Sequence, residues 1–315
     1  MCCAVRFRFF RFLPHFYPPQ NSGERMMKRC TFLFAFLFAF LFSGILFTAS
    51  ELNAAEKTDG TAKDGSVPQT IQTHDGKTLR LVWNDEFDGT GQPSPEKWGY
   101  EYGFVRNREA QFYTREREKN VFQKDGVLTI RSFREPFEEN GQKADYTSGS
   151  ITTEGHAGWK YGRIEVSAKL PKGRGVWPAI WMLGTNRKDI GWPKCGEIDI
   201  MEYVGYKPTQ IHATVHAPYE GKHTSKGSYI RLEGVEDRFA VYAVEWTEEK
   251  MDFFVDDQLY FTYRRGDRPV DPWPFDKPHY LILNTAIGGA WGGVYGIDDS
   301  IFPCDFVIDY VRVYQ

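Results

Sequence analysis

Three acidic residues lie within six positions of one short apolar stretch, at Glu197, Asp199 and Glu202. Residues alternate between the two faces of a β-strand, so Glu197 and Asp199 share one face. Strict alternation would turn Glu202 to the apolar face, where an unpaired carboxylate is strongly unfavourable. A β-bulge near Ile200 or Met201 adds one residue and returns Glu202 to the acidic face. The spacing therefore predicts a bulged strand that presents three carboxyl groups on one side.

Two carboxyl groups on one face of a strand can cleave a glycosidic bond. With the bulge, the backbones of Glu197 and Glu202 lie roughly 13 Å apart, at about 3.3 Å per residue over four steps. Long side chains leaning together on a concave sheet approach the ~5–5.5 Å separation that retaining glycoside hydrolysis requires. Asp199 lies between them, where it can hydrogen-bond one carboxyl group and separate their pKa values. Retaining glycosidase chemistry is the hypothesis that we favour.

The same spacing has two simpler interpretations, a solvated acidic face and a divalent cation site. The segment one loop earlier helps to choose between them. Trp177 and Trp181 are an even number of positions apart, so in a strand they share a face. Sugar rings stack on exposed aromatic faces, because pyranose C–H groups form an apolar surface. Core packing is the alternative, since Trp is usually largely buried.

Two polar positions are candidates for lining a groove. His216 shares a strand face with His212 and Thr214, which fits either a metal-ligating pair or one packed and one hydrogen-bonded histidine. Asn284 ends an apolar strand ahead of the glycine-rich segment Gly288–Gly293. An amide at that place either caps a turn or holds a ligand hydroxyl group.

The composition is that of a large β protein. Of 315 residues, 16% are aromatic, and the chain contains 30 Gly and 17 Pro. This composition favours short strands and turns, and no convincing amphipathic helix lies between the strand patterns. We expect an all-β jelly-roll sandwich of two antiparallel sheets in one domain. The predicted strands cover 79–83, 126–130, 148–153, 162–170, 211–216, 239–245, 251–255, 280–286 and 306–314.

The amino-terminal region is predicted to direct export. A basic start at 26–29 precedes an apolar run over 31–49, and small residues follow, as in a secretory signal peptide. An uncleaved membrane anchor is the alternative, because the run is close to the length of a membrane span. We assign 1–55 to the signal region, with Met26 as an alternative start. Residues 56–70 form a flexible linker and 71–315 the catalytic domain, located outside the cell, in the periplasm or on the cell surface.

Charge and cysteine content restrict the partners and the covalent framework. The net charge of −3 provides no global basic field for nucleic acid. Membrane contact is expected only through an uncleaved signal segment, and a monomer is the default expectation. Cys195 and Cys304 remain after the predicted cleavage, and their spacing leaves open whether they form a disulfide.

The run Trp177–Leu183 followed by Gly196–Glu202 resembles the laminarinase-type members of glycoside hydrolase family 16. The resemblance extends from about Val82 to Gln315. It implies a β-jelly-roll with a concave cleft and retaining endo-hydrolysis of a β-1,3-glucan such as laminarin, without a cofactor for catalysis. The other segments that carry it are 107–113, 161–163 and 309–314.

The resemblance also implies a role for individual residues. Glu197 would be the nucleophile, Asp199 its hydrogen-bonding assistant and Glu202 the general acid/base. Trp177 and Trp181 would line the subsites beside the cleaved bond. The remaining implied sugar contacts are Asn107, His216, Asn284 and Trp291.

A structural calcium ion away from the cleft is a further implication of the resemblance. Its ligands would be Glu86, the carbonyl group of Gly126 and Asp309. These are the oxygen donors that calcium prefers, and they would tie the first strand to the last.

Two features depart from the family pattern. Many members place an arginine after Ser-Gly or Ser-Ala, whereas here Ser150 follows Ser148 and Gly149, which removes one guanidinium contact to sugar. The glycine-rich segment Gly288–Gly293 is expected to alter the cleft wall. The bulged motif favours β-1,3-glucan over lichenase-type substrates, whose acidic motif is usually one residue shorter. Mixed-linkage glucan, a marine galactan and a non-catalytic β-glucan-binding role are the alternatives.

Overall fold

The computed structural model describes residues 66–315. The predicted signal region 1–55 and most of the linker 56–70 lie outside the described residues. Within 66–315, regular structure consists of β-strands with three short helical turns. None of the helices in this part of the chain is long and apolar enough to cross a membrane.

The elements are numbered in chain order. The strands are β1 (Thr70–Gln72), β2 (Thr78–Asp85), β3 (Gly99–Tyr100), β4 (Gln111–Thr114), β5 (Val121–Lys124), β6 (Val127–Glu139), β7 (Gln142–Thr152), β8 (Gly162–Lys169), β9 (Val176–Gly184), β10 (Glu197–Glu202), β11 (Gln210–Tyr219), β12 (Lys222–Arg231), β13 (Ala240–Trp246), β14 (Lys250–Val255), β15 (Gln258–Arg264), β16 (His279–Ile287) and β17 (Cys304–Tyr314). The helices are α1 (Arg187–Ile190), α2 (Gly289–Gly292) and a 3₁₀ turn at Asp299–Ile301.

The strands form two mainly antiparallel sheets. One sheet, here called the cleft sheet, has the order β12–β11–β10–β9–β16–β7–β3. The other, the outer sheet, runs β15–β14–β13–β8–β17, and β17 then pairs with β6 near its start and β2 near its end. The pairing of β6 with β7 joins the sheets at one edge. This arrangement confirms the predicted all-β jelly-roll sandwich.

All nine predicted strand segments are strands in the structure. The first strand lies earlier than expected, because Thr70–Gln72 forms a hairpin with Thr78–Arg80 ahead of the predicted start at Leu79. The turn between them contains Gly76 at φ 77°, a conformation that glycine adopts without steric cost. A three-residue strand in a polar stretch is too short to show a periodic pattern.

The core lies between the two sheets, and alternation decides which side chains enter it. In β9, Ile180 and Met182 belong to the main core, whereas Trp181 and Leu183 belong to a separate cluster on the opposite face of the same sheet. A strand with large side chains on both faces is covered on both faces. The outward face of the cleft sheet therefore carries a second layer of side chains, which forms the site described below.

Cys195 and Cys304 are both buried free thiols. Since no disulfide links them, the folded region relies on its two-sheet core for stability, as a domain of this size can.

Candidate active site

The predicted bulge is present in β10. Its pairing with β9 shifts between Asp199 and Met201, and its pairing with β11 shifts between Asp199 and Glu202. Ile200 and Met201 are both fully buried, so two successive side chains point into the core. The extra residue places Glu202 on the same face as Glu197, as the spacing predicted.

This face of the cleft sheet forms a cavity of about 580 Å³. All three acidic residues line it. So do all six predicted sugar contacts, which come from loops, strands and α2: Asn107, Trp177, Trp181, His216, Asn284 and Trp291.

Glu197 is held by one donor and by its charged neighbours. The indole Nε1 of Trp192 donates a hydrogen bond of 2.6 Å to its Oε2, and Nε2 of His216 lies 3.8 Å from its Oε1. Burial, followed by the negative charge of Asp199, raises the pKa of Glu197 to about 8, while His216 and Trp192 act in the opposite direction. The two partners therefore favour the ionised carboxylate against the cost of desolvation.

Asp199 lies deepest of the three acids and is 2% exposed. Its Oδ2 lies 3.0 Å from Nε2 of His216. Burial raises its pKa to about 8, and a hydrogen bond with Glu197 opposes that rise. Two hydrogen-bonded carboxyl groups in a desolvated site hold a proton between them more readily than they ionise together. Asp199 is thus placed to control the charge of Glu197.

Glu202 has a single donor at its carboxyl group within the described residues. The indole Nε1 of Trp177 donates a 3.1 Å hydrogen bond to its Oε1. Burial, then the negative charge of Asp199, raises the pKa of Glu202 well above its usual value. A carboxyl group that keeps its proton near neutral pH can act as a general acid.

The glycine-rich segment shapes the wall beside Glu202. Trp291 in α2 packs edge-on against Trp177 with ring centroids 5.5 Å apart. A Cβ atom at Gly292 would lie 2.9 Å from Cβ of Trp177, and one at Gly289 would lie 2.9 Å from Cγ of Glu109. Larger side chains at either glycine would push α2 away, so this segment fits close to the cleft because it lacks them.

A buried hydrogen-bond chain supports the opposite wall. The indole Nε1 of Trp181 donates to Oδ1 of Asn284 (2.7 Å), whose Nδ2 donates to the hydroxyl group of Tyr113 (2.9 Å). The Tyr113 hydroxyl and Nδ2 of Asn107 both donate to the carboxylate of Glu109, at 3.3 and 3.2 Å. The amide of Asn284 is therefore engaged by protein at both ends, and it orients the ring of Trp181.

The acidic cluster also contains donors of the kind that bind metals. Single atoms of Glu197, Asp199 and His216 lie within 4.8 Å of one another. Trp192 donates to Glu197 and Nδ1 of His216 lies 2.7 Å from Nε2 of His223, whereas Oδ2 of Asp199 is buried without a hydrogen-bond partner in the described residues. Carboxyl groups this close to an imidazole can serve acid–base chemistry, and the same donor atoms could hold a cation.

The three predicted calcium ligands lie near one junction of strands in the outer sheet. Strand β17 pairs with β6 as far as Ile308 and with β2 from Val311 onward. Asp309 therefore lies where Glu86 follows β2 and Gly126 precedes β6. Carboxylate and carbonyl oxygens at such a junction suit calcium.

The guanidinium of Arg312 already binds one of the predicted calcium ligands, Glu86. Nε and Nη2 of Arg312 donate to the two carboxylate oxygens of Glu86, at 3.0 and 2.8 Å. Oδ2 of Asp309 accepts a hydrogen bond of 3.1 Å from Ser167. The donors are of the type that calcium prefers, and Glu86 would have to share its carboxylate with Arg312 or be released by it.

Arg106, Trp192 and His223 are among the cleft residues that the sequence did not indicate. Each lies in a loop or on a strand end where no periodic pattern marks a face. The one available signal was the aromatic Trp192 only five positions before Glu197.

The sequence profile of glycosyl hydrolases family 16 matches residues 107–312. The chain belongs to glycosyl hydrolase family 16. This family 16 hydrolase is 48% identical over 248 residues to a β-glucanase of Rhodothermus marinus, covering 75% of this chain and 85% of that protein. It is 36% identical to glucan endo-1,3-beta-glucosidase A1 of Niallia circulans, covering 75% of this chain and 38% of that protein.

The fold of this family 16 hydrolase matches a solved relative. The laminarinase of Rhodothermus marinus superposes with a TM-score of 0.69 at 45% identity, covering 75% of this chain and 97% of that chain. The sequence-based prediction of a laminarinase-type family 16 glycosidase is therefore confirmed.

Proposed function

We propose that this hydrolase is secreted and cleaves β-1,3-glucosidic bonds within laminarin-like β-glucan, with retention of configuration. The observation that carries the proposal is the β10 bulge, which puts Glu197, Asp199 and Glu202 on one face of a sugar-sized cleft. Two carboxyl groups with different partners on one strand face suit double displacement. The relatives in Rhodothermus marinus and Niallia circulans support glucan as the substrate class.

In the first step, the Glu197 carboxylate attacks the anomeric carbon. The bond to the leaving oxygen breaks, and Glu202 gives its proton to that oxygen. A covalent glycosyl ester on Glu197 and a shortened glucan with a free hydroxyl group result. Burial raises the pKa of both carboxyl groups. Trp192 and His216 oppose the rise at Glu197, which supports its ionised form, and the raised pKa of Glu202 supports the proton it must deliver.

In the second step, water attacks the anomeric carbon from the side that the leaving group vacated. Glu202, now ionised, accepts a proton from that water, and the ester bond to Glu197 breaks. Both carboxyl groups return to their starting protonation states. Asp199 shares a hydrogen bond with Glu197, and a proton transferred to Asp199 before this step would favour the charge on Glu197 as it leaves.

The calcium site is a second part of the proposal. Calcium at the Glu86, Gly126 and Asp309 junction would hold β2, β6 and β17 together. Differential scanning fluorimetry with about 10 mM CaCl₂ or with EDTA tests it, since about 10 mM is at least tenfold above the ~10⁻⁴–10⁻³ M Kd of weak extracellular sites. We expect a higher Tm in calcium, absent in Asp309→Asn. Equal Tm values in both buffers would overturn it.

Reducing-end release by residues 66–315 on laminarin, barley mixed-linkage glucan and agarose tests the activity, with Glu197→Gln as the matched inactive control. Strong release from laminarin as short oligosaccharides supports the proposal, and ¹H NMR of the first product gives the anomeric configuration. Release from barley glucan or agarose alone would overturn the substrate. Full activity of Glu197→Gln would overturn the mechanism.

A further inference from the structure

The nucleophile side of the cleft brings an imidazole nitrogen and two carboxylate oxygens together. Nε2 of His216 lies 3.0 Å from Oδ2 of Asp199 and 3.8 Å from Oε1 of Glu197. One donor atom from each of these residues lies within 4.8 Å of the donor atoms of the other two. All three residues line the cleft. Their donor atoms therefore form a compact triangle at its surface.

The size of this triangle suits a small divalent ion. Zinc holds imidazole nitrogen and carboxylate oxygen at about 2.0–2.2 Å, so the donors of a tetrahedral site lie roughly 3.3–3.6 Å apart. The two separations measured from His216, 3.0 and 3.8 Å, fall on either side of that range. Small adjustments of the side chains would bring the donors to one ion, without a change in the backbone of β10 or β11.

The aspartate oxygen of the triangle is buried and lacks a hydrogen-bond donor. Within the described residues no group donates a hydrogen bond to Oδ2 of Asp199, although Nε2 of His216 is close to it. A buried acceptor without a partner is costly, and native sites usually satisfy it with a bound group. The side chains of Glu197 and His216 are 17% and 21% exposed, so the cleft gives an ion access to the triangle from their side.

Neighbouring side chains hold the outer atoms of two of the three donors. Nδ1 of His216 lies 2.7 Å from Nε2 of His223, and the two rings stack with their centroids 4.9 Å apart. When Nδ1 donates this hydrogen bond, the lone pair of Nε2 faces the two carboxyl groups. Trp192 donates to Oε2 of Glu197, the oxygen that lies outside the triangle. Such outer partners orient the ligands of metal sites in proteins.

The types of donor favour a transition metal over calcium. Calcium takes about six to eight oxygen ligands, whereas this triangle supplies two carboxylate oxygens and one imidazole nitrogen. Imidazole suits zinc, copper, iron and nickel. Three protein ligands leave the fourth position of a tetrahedral zinc ion to water, and here that position would face the cleft.

We propose that Oε1 of Glu197, Oδ2 of Asp199 and Nε2 of His216 bind a divalent transition metal such as Zn²⁺, and that the bound ion blocks hydrolysis. A carboxylate that coordinates zinc is not free to attack an anomeric carbon, and the ion fills space that the sugar ring needs beside Glu197. Zinc and glucan therefore compete for the same part of the cleft. The blocking effect rests on the proposed glucanase function, whereas the metal binding does not.

Isothermal titration with ZnCl₂ tests the site in purified protein that carries no histidine tag. The titration is done at about pH 8, because metal ligands must lose their protons to bind. We expect one zinc ion per chain with micromolar affinity. His216→Phe and Asp199→Asn each remove a ligand, and His223→Phe removes the partner that orients His216. Each change should weaken binding by about tenfold or more.

Two changes elsewhere serve as matched controls. His212→Gln alters another histidine of β11 that lines the cleft, and Asp309→Asn alters a carboxyl group at the proposed calcium junction. Both should leave the zinc Kd unchanged. A Tm within about 2 °C of the parent in EDTA shows that a variant is folded, since ~1 kcal/mol moves Tm by that amount or more in a domain of this size. Zinc binding that survives both His216→Phe and Asp199→Asn would overturn the site, as would the absence of binding.

The visible spectrum of bound Co²⁺ tests the geometry without any substitution. Cobalt accepts the same ligands as zinc, and its four-coordinate complexes absorb visible light much more strongly than its six-coordinate complexes. We expect the strong spectrum with one equivalent of Co²⁺, and its loss when Zn²⁺ is added. A weak six-coordinate spectrum would overturn the proposed geometry.

Glu202→Gln separates metal binding from turnover, because it keeps all three ligands and lacks the proton donor. It should bind zinc like the parent, and laminarihexaose should weaken that binding. In the active enzyme, zinc should raise the apparent KM for laminarin, leave kcat unchanged and be reversed by EDTA. Activity that rises with zinc, or inhibition that excess laminarin does not relieve, would overturn the blocking effect.

The two proposals fail in different ways. If zinc binds through His216 and Asp199 but the protein neither cleaves laminarin nor binds laminarihexaose, the glucanase function fails and the metal site stands. If laminarin is cleaved and zinc neither binds nor inhibits, only the metal site fails.

Discussion

The indole Nε1 of Trp192 lies 2.6 Å from Oε2 of Glu197, although the Trp192 side chain is 46% exposed. An exposed loop residue therefore supplies the one neutral donor that the described residues give to this carboxylate. Because a hydrogen bond to the ionised form lowers the pKa of an acid, Trp192 sets part of the pH range over which Glu197 is charged.

Trp192→Phe keeps an aromatic ring and removes the donor. The pKa of Glu197 should rise, so the acidic limb of the kcat/KM profile should move to higher pH and activity below that limb should fall. Initial rates on laminarin, measured from about pH 4 to about pH 9 in steps of about 0.5 pH unit, give this profile, since the usual pKa of Glu lies near 4.3 and the shifted pKa above it. Trp291→Phe, which alters a cleft ring that does not hydrogen-bond Glu197, serves as the control for the position of the limb. A limb that stays in place would contradict the role given to Trp192.

Glu202→Gln removes the proton donor and keeps the shape of the side chain. We expect laminarin hydrolysis to fall by roughly 10²–10⁴-fold, the usual contribution of general acid–base catalysis. An aryl glucoside with an acidic phenol needs little protonation of its leaving group, so its first step should persist as a burst of phenol. Equal losses on both substrates would show that Glu202 is not the general acid.

Glu202→Gln should also stabilise the fold in a pH-dependent way. The folded-state pKa of Glu202 is raised, so the folded protein holds this proton more tightly than the unfolded chain. The resulting stability is present below the unfolded pKa and is lost as pH rises through the folded pKa. Glutamine has no charge to bury, so the Tm advantage of the variant should be near zero at pH ~4.3 and grow toward alkaline pH. Scanning calorimetry at increasing pH measures the Tm of both proteins. A Tm difference that shrinks as pH rises would contradict the prediction.

Asn284→Leu should destabilise the domain. It removes the partners of the Trp181 indole and the Tyr113 hydroxyl, and each buried group left without a partner costs about 1–3 kcal/mol. Urea denaturation measures the loss. Tyr113→Phe combined with Asn284→Leu should cost less than the two single changes added together, because both remove the same hydrogen bond. Strict additivity would show that the bond contributes nothing.

The sequence predicts the site most directly where the two-residue period of a strand would bury a charged side chain. Glu202 had to return to the acidic face because its burial among Ile200 and Met201 would be unfavourable, and this alone located the bulge. The same alternation placed Trp177 and Trp181 on the cleft side. These inferences needed only neighbours within one strand and its period of two.

Contacts between distant loops were outside the reach of that reasoning. Glu101 joins Arg106 to Ser150 through its two carboxylate oxygens, and Arg106 lies over Trp181, although Arg106, Ser150 and Trp181 are far apart in the sequence. Arg312 reaches Glu86 because β17 pairs with β2, which places Arg312 opposite Asn84. Neither pairing leaves a periodic mark in the chain, so the charge state of both sites depends on partners that local patterns do not indicate.

The bulge in β10 has a consequence for how this strand tolerates changes in length. Removing Met201 would delete one core side chain and restore plain alternation, so Glu197, Asp199 and Glu202 would still face the cleft. Removing Ile198 instead would make Glu197 and Asp199 adjacent, so that Glu197 would point into the core when Asp199 faces the cleft. A one-residue deletion at the bulge therefore leaves the three acidic side chains on the cleft face. Its cost is the loss of one core side chain and of the extra local twist that the bulge provides.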